Sequence, residues 1–294
     1  HLTATFIKKA GITHLLTFPS LYTLLLDQGA DLLTSLQHVS VAGESCPGAL
    51  ARRHSELLPG VRFFNQYGPT ECTVGATIFE VPAGWQDPKV PIGKAIRNVY
   101  IRILNEQDRE SNPLEPGEIC IGGAGVALGY WKRQELTNQR FVQDPYGKPG
   151  DKVYRTGDLG QWLPDGNVDF LGRLDYQVKI RGYRIEPGEI EAVILEHPAA
   201  REAVVVALGE SPDQQRLVAY LSSAEGKQLS EREIRLFLDS RLPAHLLPAQ
   251  YVFLDQLPLA PSGKVDRKAL PAPGKKRPNL DSEYEPAKTT LQQW

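Results

Sequence analysis

The sequence predicts an α/β fold in a larger N-terminal part followed by a small α+β part, and three observations predict it. Helix-like and strand-like runs alternate up to about residue 98, the texture then turns to short strands with Gly-rich turns, and helices mix with strands again from Asp175 to about residue 271. A chain of 294 residues has the length of about two domains and can bury a core of ordinary size.

Each element has its own reason. Pro19 to Leu26 opens with a proline suited to a first helical turn, and His38–Ala42 reads as a short buried strand. Pro47 to Leu58 is amphipathic and is stopped by Pro59-Gly60, after which Val61–Phe64 reads as a strand. This strand–helix–strand order predicts parallel pairing. Val99–Leu104, Gly117–Gly122 and Lys152–Arg155 are the next strands, and Gln161–Phe170 is a hairpin turned by Pro164-Asp165-Gly166. Together they predict a distorted barrel. In the small part, Pro187–Glu196 reads as a helix, Ala203–Ala207 and Leu217–Leu221 as strands, and Ser230 with Glu233 as a capping box for a helix running to about Leu242. Residues 272–294 are Pro-, Lys- and Glu-rich, an exposed linker. The domains are therefore 1–174, 175–271 and a linker, 272–294.

Composition excludes several classes of function. With 33 basic and 35 acidic residues the net charge is −2, which offers no electrostatic footprint for nucleic acid. No apolar run reaches the roughly 18 residues of a membrane span. Cys46, Cys72 and Cys120 are odd in number and lack zinc-site spacing, so they read as reduced thiols of a cytoplasmic protein. Methionine is absent, position 1 included, which reads as an internal piece of something longer.

Five stretches offer chemistry. In Asn65-Gln-Tyr-Gly-Pro-Thr-Glu71, a strand ends in a tight turn that leaves the Tyr67 ring for a base, the Thr70 hydroxyl for a phosphate and the Glu71 carboxylate for Mg²⁺; a plain surface turn explains the same residues. Gly117 to Trp131 misses the dinucleotide fingerprint, with Gly123-x-Gly125-x-x-x-Gly129, and reads as a structural hairpin with a Gly-rich turn. Asp158, just after a strand in Tyr154-Arg-Thr-Gly-Asp-Leu159, suits a pair of ribose hydroxyls, or else caps its own turn. Arg173, Lys179, Arg181 and Arg184 surround Gly182, either a site for phosphate and ribose oxygens beside a flexible boundary or a solvated basic face. Lys264, in Pro261-Ser-Gly-Lys-Val-Asp-Arg267, is a lone loop lysine.

The order of these motifs is more informative than any one of them. Asn-x-Tyr-Gly-Pro-Thr-Glu, Gly-Glu-Ile…Gly-Tyr, Tyr-Arg-Thr-Gly-Asp-Leu, Gly-Arg-x-Asp-x-Gln-Val-Lys-Ile-Arg-Gly-x-Arg-Ile-Glu, Leu-Pro-x-x-x-x-Pro and Gly-Lys-Val-Asp-Arg follow one another from about Thr13 to Leu270. In this the chain closely resembles the adenylation domain of nonribosomal peptide synthetases, in the adenylate-forming superfamily. The resemblance implies the adenylate-forming fold, here the C-terminal part of its large domain with a small mobile lid. It implies activation of an amino acid or related carboxylic acid with ATP and Mg²⁺ to an acyl-adenylate, then transfer to a phosphopantetheine thiol on a downstream carrier domain. A condensation or other synthetase domain in the same chain is the further partner implied.

Carried over residue by residue, the resemblance gives ATP to Asn65, Tyr67, Gly68, Thr70, Asp158 and Arg173, and the metal to Glu71. It makes Asp175 the hinge and Lys264 the catalytic cation, with Arg173 and Lys179 beside the chemistry. It lines the substrate pocket with Thr17, Ser40, Ala42, Gln66, Val74 and Gly75, whose small members predict a roomy cavity. Leu128, Pro187, Ser262 and His245-Leu246 depart from the family pattern without removing a named group. The family's phosphate loop, and the aspartate that holds an amino acid's amine, would precede His1, so the chain alone is expected to be incomplete as a catalyst. A carboxylate–CoA or aryl-acid ligase of the same fold, or a silent carrier-docking scaffold, are the alternatives.

Overall fold

A computed structural model describes residues 2–180, 183–209, 215–227, 229–259 and 265–274. The chain divides into two compact units, His1–Gly182 and Tyr183–Trp294. The boundary expected at Asp175 falls a few residues before this division, where the Leu174 amide donates to the Gly157 carbonyl and Arg173 holds the Asp175 carboxylate.

The first unit begins with α1 (Leu2–Ala10), β1 (His14–Thr17), α2 (Pro19–Gln28), β2 (His38–Ala42), α3 (Gly48–Leu57) and β3 (Arg62–Tyr67). β1, β2 and β3 are parallel neighbours, with Leu16 opposite Ser40 and Ser40 opposite Phe64, as the alternation predicts. β4 (Thr77–Glu80) and β5 (Lys94–Ala95) extend this sheet antiparallel. Val39, Val41 and Phe63 face a core with Tyr22, Leu25, Leu26, Leu33, Leu50 and Ala51 from the helical layer, while Ser40 and Ala42 point the other way and are half-buried.

A second, wholly antiparallel sheet follows, made from β6 (Val99–Leu104), β7 (Gly117–Gly123), β8 (Phe141–Gln143), β9 (Lys152–Trp162) and β10 (Val168–Arg173). Its strand order is β10-β9-β7-β6, with β8 also on β9. The Pro164-Asp165-Gly166 turn behaves as read, with the Gly166 amide donating to Leu163. Two expectations change. Gly117–Trp131 is not a hairpin: β7 pairs with β6 and β9, and residues 124–133 run on as a loop into α4 (Gln134–Arg140), which the sequence did not announce. Asp158 does not follow a strand but lies within the eleven-residue β9. β11 (Val178–Ile180) completes the unit.

The second unit holds β12 (Tyr183–Ile185), α5 (Pro187–Leu195), β13 (Ala200–Leu208), β14 (Arg216–Ser223), α6 (Glu231–Asp239) and β15 (Gln250–Phe253). β14 is central, antiparallel to β13 and parallel to β15, over a core of Val204, Val218, Tyr220 and Leu257. Ser230 caps α6 as expected, its hydroxyl oxygen accepting from the Glu233 amide at 3.2 Å, but the Glu233 carboxylate reaches His197. Among the described residues no helix is long and apolar enough to cross a membrane.

Candidate active site

The carboxyl-side end of β3 and the middle of β9 converge on one carboxylate. On β9 the pairing with β7 jumps from Glu118–Leu159 to Cys120–Arg155, so Thr156, Gly157 and Asp158 bulge opposite Ile119. β10 shifts at the same place, between Phe170 and Gly172. Bulges of this kind re-aim a side chain while the ladder continues on both sides. Gly157 takes φ +73° at the apex, a conformation that favours glycine, and a Cβ there would press on the ends of the Arg173 and Asp175 side chains, 2.8 Å from Arg173 Nη2 and 2.9 Å from Asp175 Oδ2.

The bulge is pinned from below. The Thr156 hydroxyl donates to the Ile119 carbonyl at 2.6 Å and accepts from the Asp158 amide at 2.9 Å. The Gly157 amide donates to Glu118 Oε1 at 2.9 Å, and the other Glu118 oxygen takes Arg155 Nε at 2.8 Å. Glu118 is itself buried, so this pairing is what makes its charge tolerable.

Asp158, 4% exposed, accepts from the Tyr67 hydroxyl and from Arg173 Nη1, each at 2.5 Å. Burial pushes its carboxyl above the usual range, while the Arg173 guanidinium pulls the other way. Burial also lifts the Tyr67 phenol far above its ordinary value, with the Asp158 charge adding to the effect. Arg173 turns its remaining donors on Asp175, at 2.6 and 2.8 Å, and on the Thr156 carbonyl at 3.2 Å. Burial pushes the Asp175 carboxyl up, but the Arg173 fork and the Gln177 amide outweigh it and hold it low. Lys179 Nζ stands 5.9 Å from the Tyr67 ring centroid, and its charge bears on Asp158. Each carboxylate oxygen has two lone pairs, so Asp158 can still accept from a ligand's hydroxyls.

Tyr67 is followed by Gly68, Pro69 and a 3-10 turn, Thr70–Cys72. Thr73 and Val74 then adopt left-handed φ of 58° and 69°, rare for a β-branched residue and a mark of functional turns. They swing the chain back so that the Ala76 amide meets the Tyr67 carbonyl at 2.8 Å. Thr70 is exposed and Glu71 half-buried. Among the described residues no group of three or more His, Cys, Asp or Glu could hold a metal alone. Glu71 nonetheless fits Mg²⁺, which is commonly held by one or two carboxylates together with substrate phosphates.

The structure therefore brings Tyr67, Asp158, Arg173, Asp175 and Lys179 together. Asn65 is buried behind them, its amide donating to the Pro91 carbonyl at 2.8 Å. Gln66 Nε2 donates to Ser40 Oγ at 3.1 Å, which joins two expected pocket residues; Ala42 is the register partner of Gln66, whereas Thr17 pairs with Val41, out of phase with Ser40. Val74 is exposed and Gly75 half-buried. Lys264, Arg181 and Gly182 lie outside the described residues. No spacing in the sequence assigns a role to Glu118, Thr156 or Tyr130; the glutamate and the tyrosine stand in Gly-Glu-Ile…Gly-Tyr, whose fixed place in the motif order is the available signal.

A family model described as AMP-binding enzyme matches residues 1–131, and one described as AMP-binding enzyme C-terminal domain matches residues 189–264. Tyrocidine synthase 3 of Brevibacillus parabrevis is 46% identical over 272 residues, 91% of this chain but 4% of that protein. Among solved structures, IdnL1 is similar with a TM-score of 0.79 at 30% identity, over 87% of this chain and 53% of that one. PA1221, an NRPS protein containing adenylation and PCP domains, is similar with a TM-score of 0.77 at 30% identity, over 90% of this chain and 45% of that one. The chain thus spans a small fraction of this curated relative and about half of these solved chains.

Proposed function

Starting from the fact that the chain belongs to the AMP-binding enzyme family, in its adenylation-domain branch, we propose that it takes part in ATP-dependent activation of an amino acid or related carboxylic acid. The acid becomes an acyl-adenylate and pyrophosphate leaves; the acyl group then passes to the phosphopantetheine thiol of a carrier domain. A condensation or other synthetase domain is the further partner in this reading, and the cytoplasm the compartment, in keeping with three free cysteines.

The observation that carries the reading is the buried Asp158, aimed by the β9 bulge and braced by Tyr67 and Arg173. In it, the Asp158 carboxylate accepts the two ribose hydroxyls, and the Tyr67 ring lies against the base. Arg173 opposes the burial that favours the protonated form of Asp158, and reaches ribose and phosphate oxygens. The Thr70 hydroxyl and the Gly68 backbone contact phosphate, and Asn65 steadies the end of β3. Glu71 is the carboxylate for Mg²⁺, which supplies positive charge to the phosphates. Lys264 and Lys179 bring cations to the two half-reactions, countering charge that builds at phosphorus and the leaving oxygens. Asp175 is the hinge. Ser40, Ala42, Gln66, Val74 and Gly75 line the pocket for the acid's side chain, whereas the sequence-expected Thr17 stands in register with Val41 on the other face of the sheet; the small members of the lining suit a large side chain.

Pyrophosphate exchange into ATP by the full-length protein tests this directly. Exchange is expected with one or a few amino acids. Exchange with fatty or aryl acids alone would move the chain to the CoA-ligase branch, and none with any acid would make it a silent scaffold.

A further inference from the structure

The Gly-rich loop after β7 has work that its composition hides. Residues 124–130 lie against the Thr70–Thr73 turn through three contacts: the Ala127 amide donates to the Glu71 carbonyl at 2.9 Å, the Thr73 hydroxyl donates to the Gly125 carbonyl at 2.7 Å, and the Tyr130 hydroxyl donates to Glu71 Oε1 at 2.6 Å. The last is a short, charge-assisted bond of the kind that fixes a carboxylate's orientation.

Tyr130 is itself held in place. Its amide donates to the Thr137 hydroxyl of α4 at 2.9 Å, and its ring packs edge-on to Phe141 at 5.3 Å. The close approach of α4 depends on Gly129, at φ +145°, where a Cβ would lie 2.3 Å from Thr137 Cγ2. Its hydroxyl also stands 3.3 Å from that of Tyr154, which is fully buried. A phenol has one hydrogen. Since Tyr130 gives its hydrogen to Glu71, Tyr154 is the donor of the second contact, and the order runs Tyr154 to Tyr130 to Glu71.

We propose that Tyr130 is a positioning residue for Glu71, fixing the carboxylate so that it meets a hard divalent cation in one orientation. The proposal rests on the reading of Glu71 as the metal carboxylate. Partners of this kind are worth about tenfold or more in metal affinity, because they settle the geometry before the metal arrives.

The test measures Mn²⁺ affinity by electron paramagnetic resonance, in the full-length protein saturated with a non-hydrolysable ATP analogue. Affinity for the same analogue without metal is measured alongside. Tyr130→Phe is expected to weaken Mn²⁺ binding about tenfold and leave metal-free nucleotide affinity unchanged. Tyr154→Phe, which removes the bond feeding Tyr130 but spares the Tyr130–Glu71 bond, is expected to weaken Mn²⁺ binding less than Tyr130→Phe does and to leave metal-free nucleotide affinity unchanged. Glu71→Gln is expected to lose at least as much metal affinity as Tyr130→Phe. Wild-type Mn²⁺ affinity in Tyr130→Phe alongside a defective Glu71→Gln overturns the positioning role and leaves Glu71 standing. Normal Mn²⁺ affinity in Glu71→Gln overturns the metal reading itself. Equal loss of nucleotide binding with and without metal in Tyr130→Phe means general loosening, and also overturns the proposal.

Discussion

The two sheets of the first unit are stabilised by different materials. Around β1–β3 the interior is hydrocarbon from Tyr22, Leu25, Val39, Val41, Leu50 and Phe63, with the imidazole of His54 buried beside it. Around β7, β9 and β10 the interior also holds Glu118 and Asp158, each matched to an arginine. Hydrocarbon contacts are individually small and loosely interchangeable. Paired charges are tied to one geometry, because losing a partner strands a buried charge. The parallel sheet therefore supplies rigidity and delivers the end of β3, whereas the antiparallel sheet supplies oriented charge.

Breaking the charged side is expected to have the largest effect, and on two properties together. Asp158→Ala removes the acceptor for Tyr67 and Arg173, at a cost of about 2 kcal/mol in stability. Nucleotide affinity should fall by about a hundredfold, since two charge-assisted bonds go with the carboxylate. Denaturant unfolding and calorimetric titration of ATP check both. Were stability to fall and affinity hold, Asp158 would be structural only.

Breaking the hydrocarbon side should affect one property. Leu25, 1% exposed, leaves a cavity when cut to alanine. Leu25→Ala is expected to cost about 3 kcal/mol of unfolding free energy and leave the nucleotide affinity of the folded protein unchanged. A parallel loss of affinity would show the two regions to be one cooperative device.

The smallest expected effect is a pH dependence on the hydrocarbon side. His54 Nε2 lies 2.7 Å from the Val61 carbonyl, so it carries the hydrogen, and Nδ1 accepts from the Tyr22 hydroxyl at 2.7 Å. The ring is thus neutral, and burial lowers its pKa below the ordinary 6.5, although the Val61 bond opposes this. Below that value the unfolded chain binds the proton more readily than the folded one. The contribution is therefore present above about pH 6.5 and is lost as pH falls through it toward the folded value. Unfolding measured between about pH 7 and pH 5 should slope downward in the wild type and flatten in His54→Gln. An equal slope in both would place the dependence elsewhere.

Periodicity carried much of the fold. β2 and β6 begin and end where their alternation does, and Ser230 caps α6 as its side chain permits. Motif order carried the site's membership, bringing Tyr67, Asp158 and Arg173 to one place. The means of positioning were not legible, because they are non-local. The bulge at Asp158 depends on Glu118, 39 residues before Gly157, and the Glu71 carboxylate is met by a tyrosine 59 residues away. A glycine run looks alike to the reader whether it closes a hairpin or lies across another turn; only the long-range partners at Thr73 and Thr137 decide.

The cysteines have a practical consequence. Cys46 belongs to the parallel-sheet core, Cys72 to the turn that carries Glu71, and Cys120 to the antiparallel sheet. All three are buried and unpaired, and burial pushes each thiol up to about 12. A thiol so protected reacts with a maleimide only when its surroundings open. The chain therefore carries a built-in reporter in each of these places. Mass spectrometry of timed alkylation would read the opening of the apolar core, the site turn and the charged sheet as three separate clocks, with no added dye and no substitution.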